Sequence, residues 1–111
     1  MNTSVFRLDA FIEGRLANFE EIVWLSGDGN YTHIHLCNGT SIVSSKNLNL
    51  LSNSLLEENN FLRIHKRYLI NMNRIAHYDK KKNTIYLPSG QALLVARRRK
   101  RILKAWLKKQ K

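Results

Sequence analysis

The apolar residues of this chain come in short runs, and turn-forming residues interrupt nearly all of them before a long helix can develop. That pattern restricts most of the chain to small strands joined by tight turns. Val5 to Ile12 is rich in β-favouring residues and reads as a first strand. Ile22-Val23-Trp24-Leu25 is continuously apolar, as expected of a strand covered on both faces. Ser26-Gly27-Asp28-Gly29-Asn30 reads as a turn or loop. Tyr31 to Leu36 then alternates, with Thr32, Ile34 and Leu36 on one face and Tyr31, His33 and His35 on the other. Asn38-Gly39 is a hairpin signal, and Thr40 to Ser44 is the returning strand.

The period changes between Lys46 and Leu56. Leu48, Leu51 and Leu55 fall at i, i+3 and i+7, Leu50 and Leu56 widen the stripe, Ser44 or Ser45 supplies a cap, and Asn59-Asn60 ends this short helix. Phe61 to Ile64 and Tyr68 to Asn71 are extended segments around a basic turn. Arg74 to Tyr78 and Thr84 to Leu87 read as strands, Pro88-Ser89-Gly90 as a turn, and Ala92 to Val95 as the return. Arg97 to Lys108 reads as a closing helix, with Ile102, Leu103, Trp106 and Leu107 on its apolar stripe.

Charge narrows the function classes. The formal net charge is +11, and the distribution is lopsided. Asp79 is the last acidic residue, and Lys80 to Lys111 holds 12 of the 19 lysines and arginines. A one-sign field of this strength destabilises the compact state by self-repulsion and points to a polyanionic partner. The first turn of the closing helix is basic against the helix dipole, which suits a partner rather than stability.

The length, 111 residues, suits one domain. No stretch reaches the ~20 apolar residues of a membrane span, and Met1 to Ala10 has no signal-like apolar core. A cytoplasmic protein without membrane insertion is expected. Cys37 is alone, so no intrachain disulfide forms. His33 and His35 on one strand face resemble half a metal site that His65, His77 or Cys37 would have to complete, but no ligand motif has the required spacing. Neither a nucleophile motif, a phosphate loop nor a useful carboxylate pair is present. A non-enzyme without metal or cofactor is expected.

Three segments carry a resemblance. Ile22 to Thr32 includes Gly29-Asn30-Tyr31. Phe61-Leu62-Arg63-Ile64-His65-Lys66-Arg67-Tyr68-Leu69-Ile70-Asn71 spaces Phe, Arg, His, an aromatic and Asn in a distinctive way. Leu94-Val95-Ala96-Arg97-Arg98-Arg99 is a strand running into a basic stretch. In order and spacing they resemble the LytTR family of bacterial DNA-binding transcription regulators, over roughly residues 15 to 105, with the leucine-rich helix between the first and second segments. Ala96 replaces the more usual serine, and Arg97 stays in register. The expected fold class is mainly β: small antiparallel sheets, one short mid-chain helix and a basic C-terminal helix. The expected organisation is a single DNA-binding domain over 1–111 without a receiver domain, since about twenty residues precede the first segment.

The resemblance implies that loops, not a recognition helix, enter successive major grooves of double-stranded DNA. It implies base contacts from Asn30, Lys66 and Arg97. Asn pairs bidentately with adenine, and Arg and Lys suit the guanine O6 and N7 acceptors. Tyr31, Arg67, Arg98, Arg99 and Lys100 are candidates for the phosphate backbone, with Lys46 a weaker one. Lys80, Lys81 and Lys82 read equally well as a solvated turn. Taken without the resemblance, Asn30 is a turn residue tolerant of the left-handed region. His65 and Asn71 read as structural side chains, and Trp24 and Trp106 as core.

Two copies on a direct repeat, as a homodimer on DNA, would multiply the few base contacts one domain offers. A separate inhibitor or sensor protein is a further expected partner. Two other readings share the charge: a general RNA-binding basic module, and a membrane-surface module using the amphipathic closing helix.

Overall fold

The computed structural model describes residues 19–55 and 60–109. The strand expected over Val5 to Ile12 lies outside them, as do Leu56 and Asn59 at the end of the mid-chain helix. In chain order the elements are β1 (Ile22–Asp28), β2 (Tyr31–Leu36), β3 (Ser41–Ser44), helix α1 (Leu48–Leu55), β4 (Phe61–His65), β5 (Tyr68–Asn71), β6 (His77–Asp79), β7 (Thr84–Tyr86), β8 (Ala92–Leu94) and helix α2 (Lys100–Lys109). Short 3-10 turns cover Phe19–Glu21, Met72–Arg74 and Arg97–Arg99. The strands form a five-stranded sheet in the order β3-β2-β1-β5-β4 and a three-stranded sheet β6-β7-β8. Every pairing is antiparallel, so the mainly β fold class is the observed one.

The large sheet is covered on both faces, and β1 shows how. The β1–β2 register shifts between Ile22 and Trp24. A bulge of this kind breaks the two-residue alternation, so residues three apart can share a face. Ile22 and Leu25 accordingly pack in one core with Ile34, Leu36, Phe61, Leu69 and the α1 residues Leu48, Leu51 and Leu55. Trp24 packs in the other core with Leu62, Ile64, Ile70, Met72, the small-sheet residues Ile85, Leu87, Leu93 and Val95, and Leu103 of α2. The continuous apolar run therefore serves two cores.

Several boundaries differ from the sequence reading. Ser26, Gly27 and Asp28 belong to β1 and pair with His33, Thr32 and Tyr31, which leaves only Gly29 and Asn30 in the turn. Backbone pairing with β2 carries the strand past its apolar residues. The α1 cap is Asn47, whose Oδ1 accepts from the Leu50 N–H at 2.9 Å. Ser44 instead accepts from the Lys46 N–H at 3.1 Å, because the helix starts too late for either serine to reach its first turn. Leu50 is exposed, outside the buried stripe.

The strand expected from Arg74 begins only at His77, since Asn71 caps the 3-10 turn before it. The closing helix opens as the 3-10 turn over Arg97–Arg99. Within α2, Leu103 is buried, Trp106 and Leu107 are partly covered, and Ile102 is exposed. Asn71 is buried and ties to backbone, as a structural side chain should: its Nδ2 donates to the Ile22 carbonyl at 2.9 Å and its Oδ1 accepts from the Asn73 N–H at 3.0 Å. Among the described residues no helix is long and apolar enough to cross a membrane.

Candidate nucleic-acid interface

Strand direction and two backbone bonds bring the three segments together. Ser26, near the end of β1, pairs with Tyr68 at the start of β5, so the β1–β2 turn and the β4–β5 loop leave the sheet at the same end. The Gly27 N–H donates to the Arg67 carbonyl at 2.9 Å and ties one to the other. The third segment joins them through β4: the Ala96 N–H donates to the Ile64 carbonyl at 2.8 Å, which seats Arg97–Arg99 beside the β4–β5 loop.

In the first turn, Gly29 takes the positive φ of 62°, while Asn83 is the only non-glycine residue with positive φ among those described. Glycine at the first central position is the type II′ preference. Asn30 therefore does not occupy the left-handed position that would make it a purely conformational choice. It is exposed at the tip, as is Tyr31 beside it.

The second loop is held from behind by Arg63. Its Nε donates to the His65 carbonyl at 2.9 Å, and its Nη2 donates to the Lys66 carbonyl and, at 3.1 Å, to Asn49 Oδ1 in α1. The guanidinium thus fastens the loop that carries Lys66 to the first turn of α1. Burial, and then the neighbouring Arg99, lower the Arg63 pKa from its ordinary value.

His65 completes the loop: its Nδ1 accepts from the Arg67 N–H at 3.1 Å, and its ring lies 4.8 Å from that of Tyr68. Burial lowers the His65 pKa, helped by Lys66, Arg67, Arg63 and Arg99. The side chains of Lys66 and Arg67 are exposed. One open, polar cleft is lined by Asp28, Gly29, Asn30, Asn49, Arg63, Lys66 and Arg67.

Two of the sequence-chosen base readers, Asn30 and Lys66, therefore share a cleft with Arg67, and Arg99 is close enough to act on Arg63 and His65. Arg97 and Arg98 are exposed on the third segment, and Arg99 is half-buried. Lys100 lies apart from that cleft, in a second one between α2 and β6. The brace formed by Arg63 and Asn49 was not read from the sequence. Arg63 stands inside the second motif, but nothing in the motif names its partner fourteen residues upstream. His33 and His35 are engaged elsewhere, His33 with Asp28 at 3.5 Å and His35 with Ser26 Oγ at 3.0 Å and stacked on Trp24. Among the described residues no three His, Cys, Asp or Glu side chains gather as a metal site.

A β-sheet core that gathers exposed amide, lysine and arginine side chains on loops at one end defines a nucleic-acid-binding domain. The chain belongs to the LytTR family: the family model for the LytTr DNA-binding domain matches residues 14–108. Among solved structures it is similar to a chain from Bacillus cereus described as the LytTr DNA-binding domain of a methyl-accepting/DNA response regulator. The TM-score is 0.70 at 18% identity, covering 84% of this chain and 86% of that one. At that identity the likeness speaks for the fold. No curated protein sequence matches this chain. It is a DNA-binding domain of a transcription-regulator family.

Proposed function

We propose that the chain binds double-stranded DNA sequence-specifically as a transcription regulator, reading the major grooves of a direct repeat through its three loops. Asn30, Lys66 and Arg97 contact base edges. Tyr31, Arg67, Arg98, Arg99 and Lys100 contact the backbone and set the register. Two copies occupy adjacent half-sites as a homodimer on DNA, because one domain has few base contacts. The domain is not an enzyme, works in the cytoplasm, and takes its signal from a separate inhibitor or sensor protein.

The observation that carries this reading is that the β1–β2 turn and the β4–β5 loop leave the large sheet at one end and the segment after β8 is bonded to β4 beside them, with the Gly27 to Arg67 and Ala96 to Ile64 backbone bonds holding the three in fixed relation. A constellation held by backbone bonds is preorganised for one target geometry.

The test is selection from a random duplex pool, with Arg97→Ala run in parallel. The expected result is a motif of two short repeats about one helical turn apart, relaxed at one position in the variant. A two-site probe should bind more tightly than either half-site. A pool that binds but stays random, with RNA preferred over duplex DNA, would replace this reading with a general RNA-binding module.

A further inference from the structure

The second cleft lies between α2 and β6. It is lined by Tyr78, Lys80, Lys100, Lys104, Leu107 and Lys108. Three of these lysines stand four residues apart along α2, so they form a column on one helix face. Like charges at that spacing destabilise a helix, and Lys80 adds a fourth from the facing strand end. No acidic residue follows Asp79, whose Oδ1 accepts from the Lys81 and Lys82 backbone N–H groups at 3.0 and 3.1 Å. Among the described residues no ion pair offsets the column.

The cleft is continuous with the third loop. Arg97–Arg99 runs directly into α2, so Lys100 belongs to both. The β6–β7 turn is tied to the same place: Asn83, at φ 52°, donates from Nδ2 to the Val95 carbonyl at 2.7 Å, and its own carbonyl accepts from the Val95 N–H at 2.9 Å. Lys80 and the head of α2 therefore keep a fixed position relative to Arg97. Eight residues of helix rise roughly 12 Å from Lys100 to Lys108. One strand of a duplex carries a phosphate about every 3.4 Å of its axis, so the column spans three to four phosphates.

We propose that Lys80, Lys104 and Lys108 form a backbone clamp on duplex DNA flanking the sequence read by the loops. The inference rests on the DNA-reading role of the third loop and adds a sequence-independent footprint to it. The lysines supply counterion release without base preference, and the Leu107 and Tyr78 side chains form the floor between them.

The experiment measures salt-dependent DNA binding by the whole chain and by the triple variant Lys80→Gln, Lys104→Gln, Lys108→Gln. Two duplexes carry the selected site, one with long flanks and one trimmed to the site. All three lysines are exposed and glutamine keeps the helix propensity, so the variant should fold, which circular dichroism checks. On the long duplex the slope of log K against log salt should fall by roughly two to three units, about 0.9 for each phosphate that is no longer neutralised. On the trimmed duplex the two proteins should bind alike, and the selected motif should stay the same.

An unchanged slope on the long duplex overturns the clamp. So does an equal drop on both duplexes, which moves the lysines inside the site. Capture by anionic phosphatidylglycerol vesicles that the variant loses, with its DNA slope unmoved, overturns it in favour of a membrane surface. Loss of the selected motif in the unmutated chain would instead mark failure of the DNA-reading role itself.

Discussion

Arg63 on β4 and Asn49 in the first turn of α1 are joined by a hydrogen bond of 3.1 Å, and the same guanidinium holds the His65 and Lys66 carbonyls. One planar side chain therefore sets the path of the loop that presents Lys66. Lysine cannot replace it, because an ammonium lacks the forked donors. Arg63→Lys should cost about 1–2 kcal/mol of specific binding, roughly a tenfold weaker complex. Arg63→Gln, which removes the charge, should keep the salt slope of the unmutated chain. A slope lower by about one unit in that variant would make Arg63 a phosphate contact and end the bracing argument.

Base readers and backbone contacts should separate cleanly. Asn30→Ala should relax preference at one base position by about 1–3 kcal/mol and leave the salt slope alone. Arg98→Ala should weaken binding to all sequences alike and lower the slope by about one unit. The two signatures are read from titrations of matched and mismatched duplexes at several salt concentrations. If Arg98→Ala relaxed a base position, the two roles would have to be exchanged.

Acid should loosen the second loop. His65 Nδ1 accepts from the Arg67 N–H, so that nitrogen carries no proton in the fold, and burial with four neighbouring cations lowers its pKa. His35 is lowered too, by burial and then by His33. A lowered histidine pKa means the unfolded chain binds more protons. Stability from these groups is therefore fully present above their unfolded value of about 6.5, and it is lost as pH falls below that value toward the folded pKa. The melting midpoint should drop between pH 7.5 and 5.5, and His65→Asn with His35→Gln should flatten the dependence. A midpoint rising over that interval would contradict this assignment.

Asn71 joins β5 to β1 inside the core. Asn71→Ala removes the bonds to the Ile22 carbonyl and the Asn73 N–H, at an expected cost of about 1–3 kcal/mol in denaturant unfolding. Asn71→Asp should be worse at neutral pH, because a carboxylate oxygen would then face the Ile22 carbonyl oxygen. Equal stability of the aspartate variant and the parent would mean that the donated bond contributes nothing.

Much of this fold is local information. The alternation of Tyr31 to Leu36, the Asn38-Gly39 hairpin, the Leu48, Leu51, Leu55 stripe and the Pro88-Ser89-Gly90 turn each depend on neighbours in the chain, and periodicity records them. The basic C-terminal third and the spaced second motif pointed to the partner and the family for the same reason. Boundaries were less legible. Whether β1 ends at Leu25 or Asp28, and whether Asn47 or a serine caps α1, depends on backbone bonds to β2 and on where packing starts the helix.

The sequence alone determined which loops carry the cations and amides, because residue type and spacing are properties of the chain. Only the tertiary structure decided that two of these loops share one end of the large sheet with the third bonded beside them, that Arg63 reaches Asn49, and that Lys80 meets the lysine column of α2. Those relationships link residues far apart in the chain, and strand register and core packing settle them. A linear pattern contains neither.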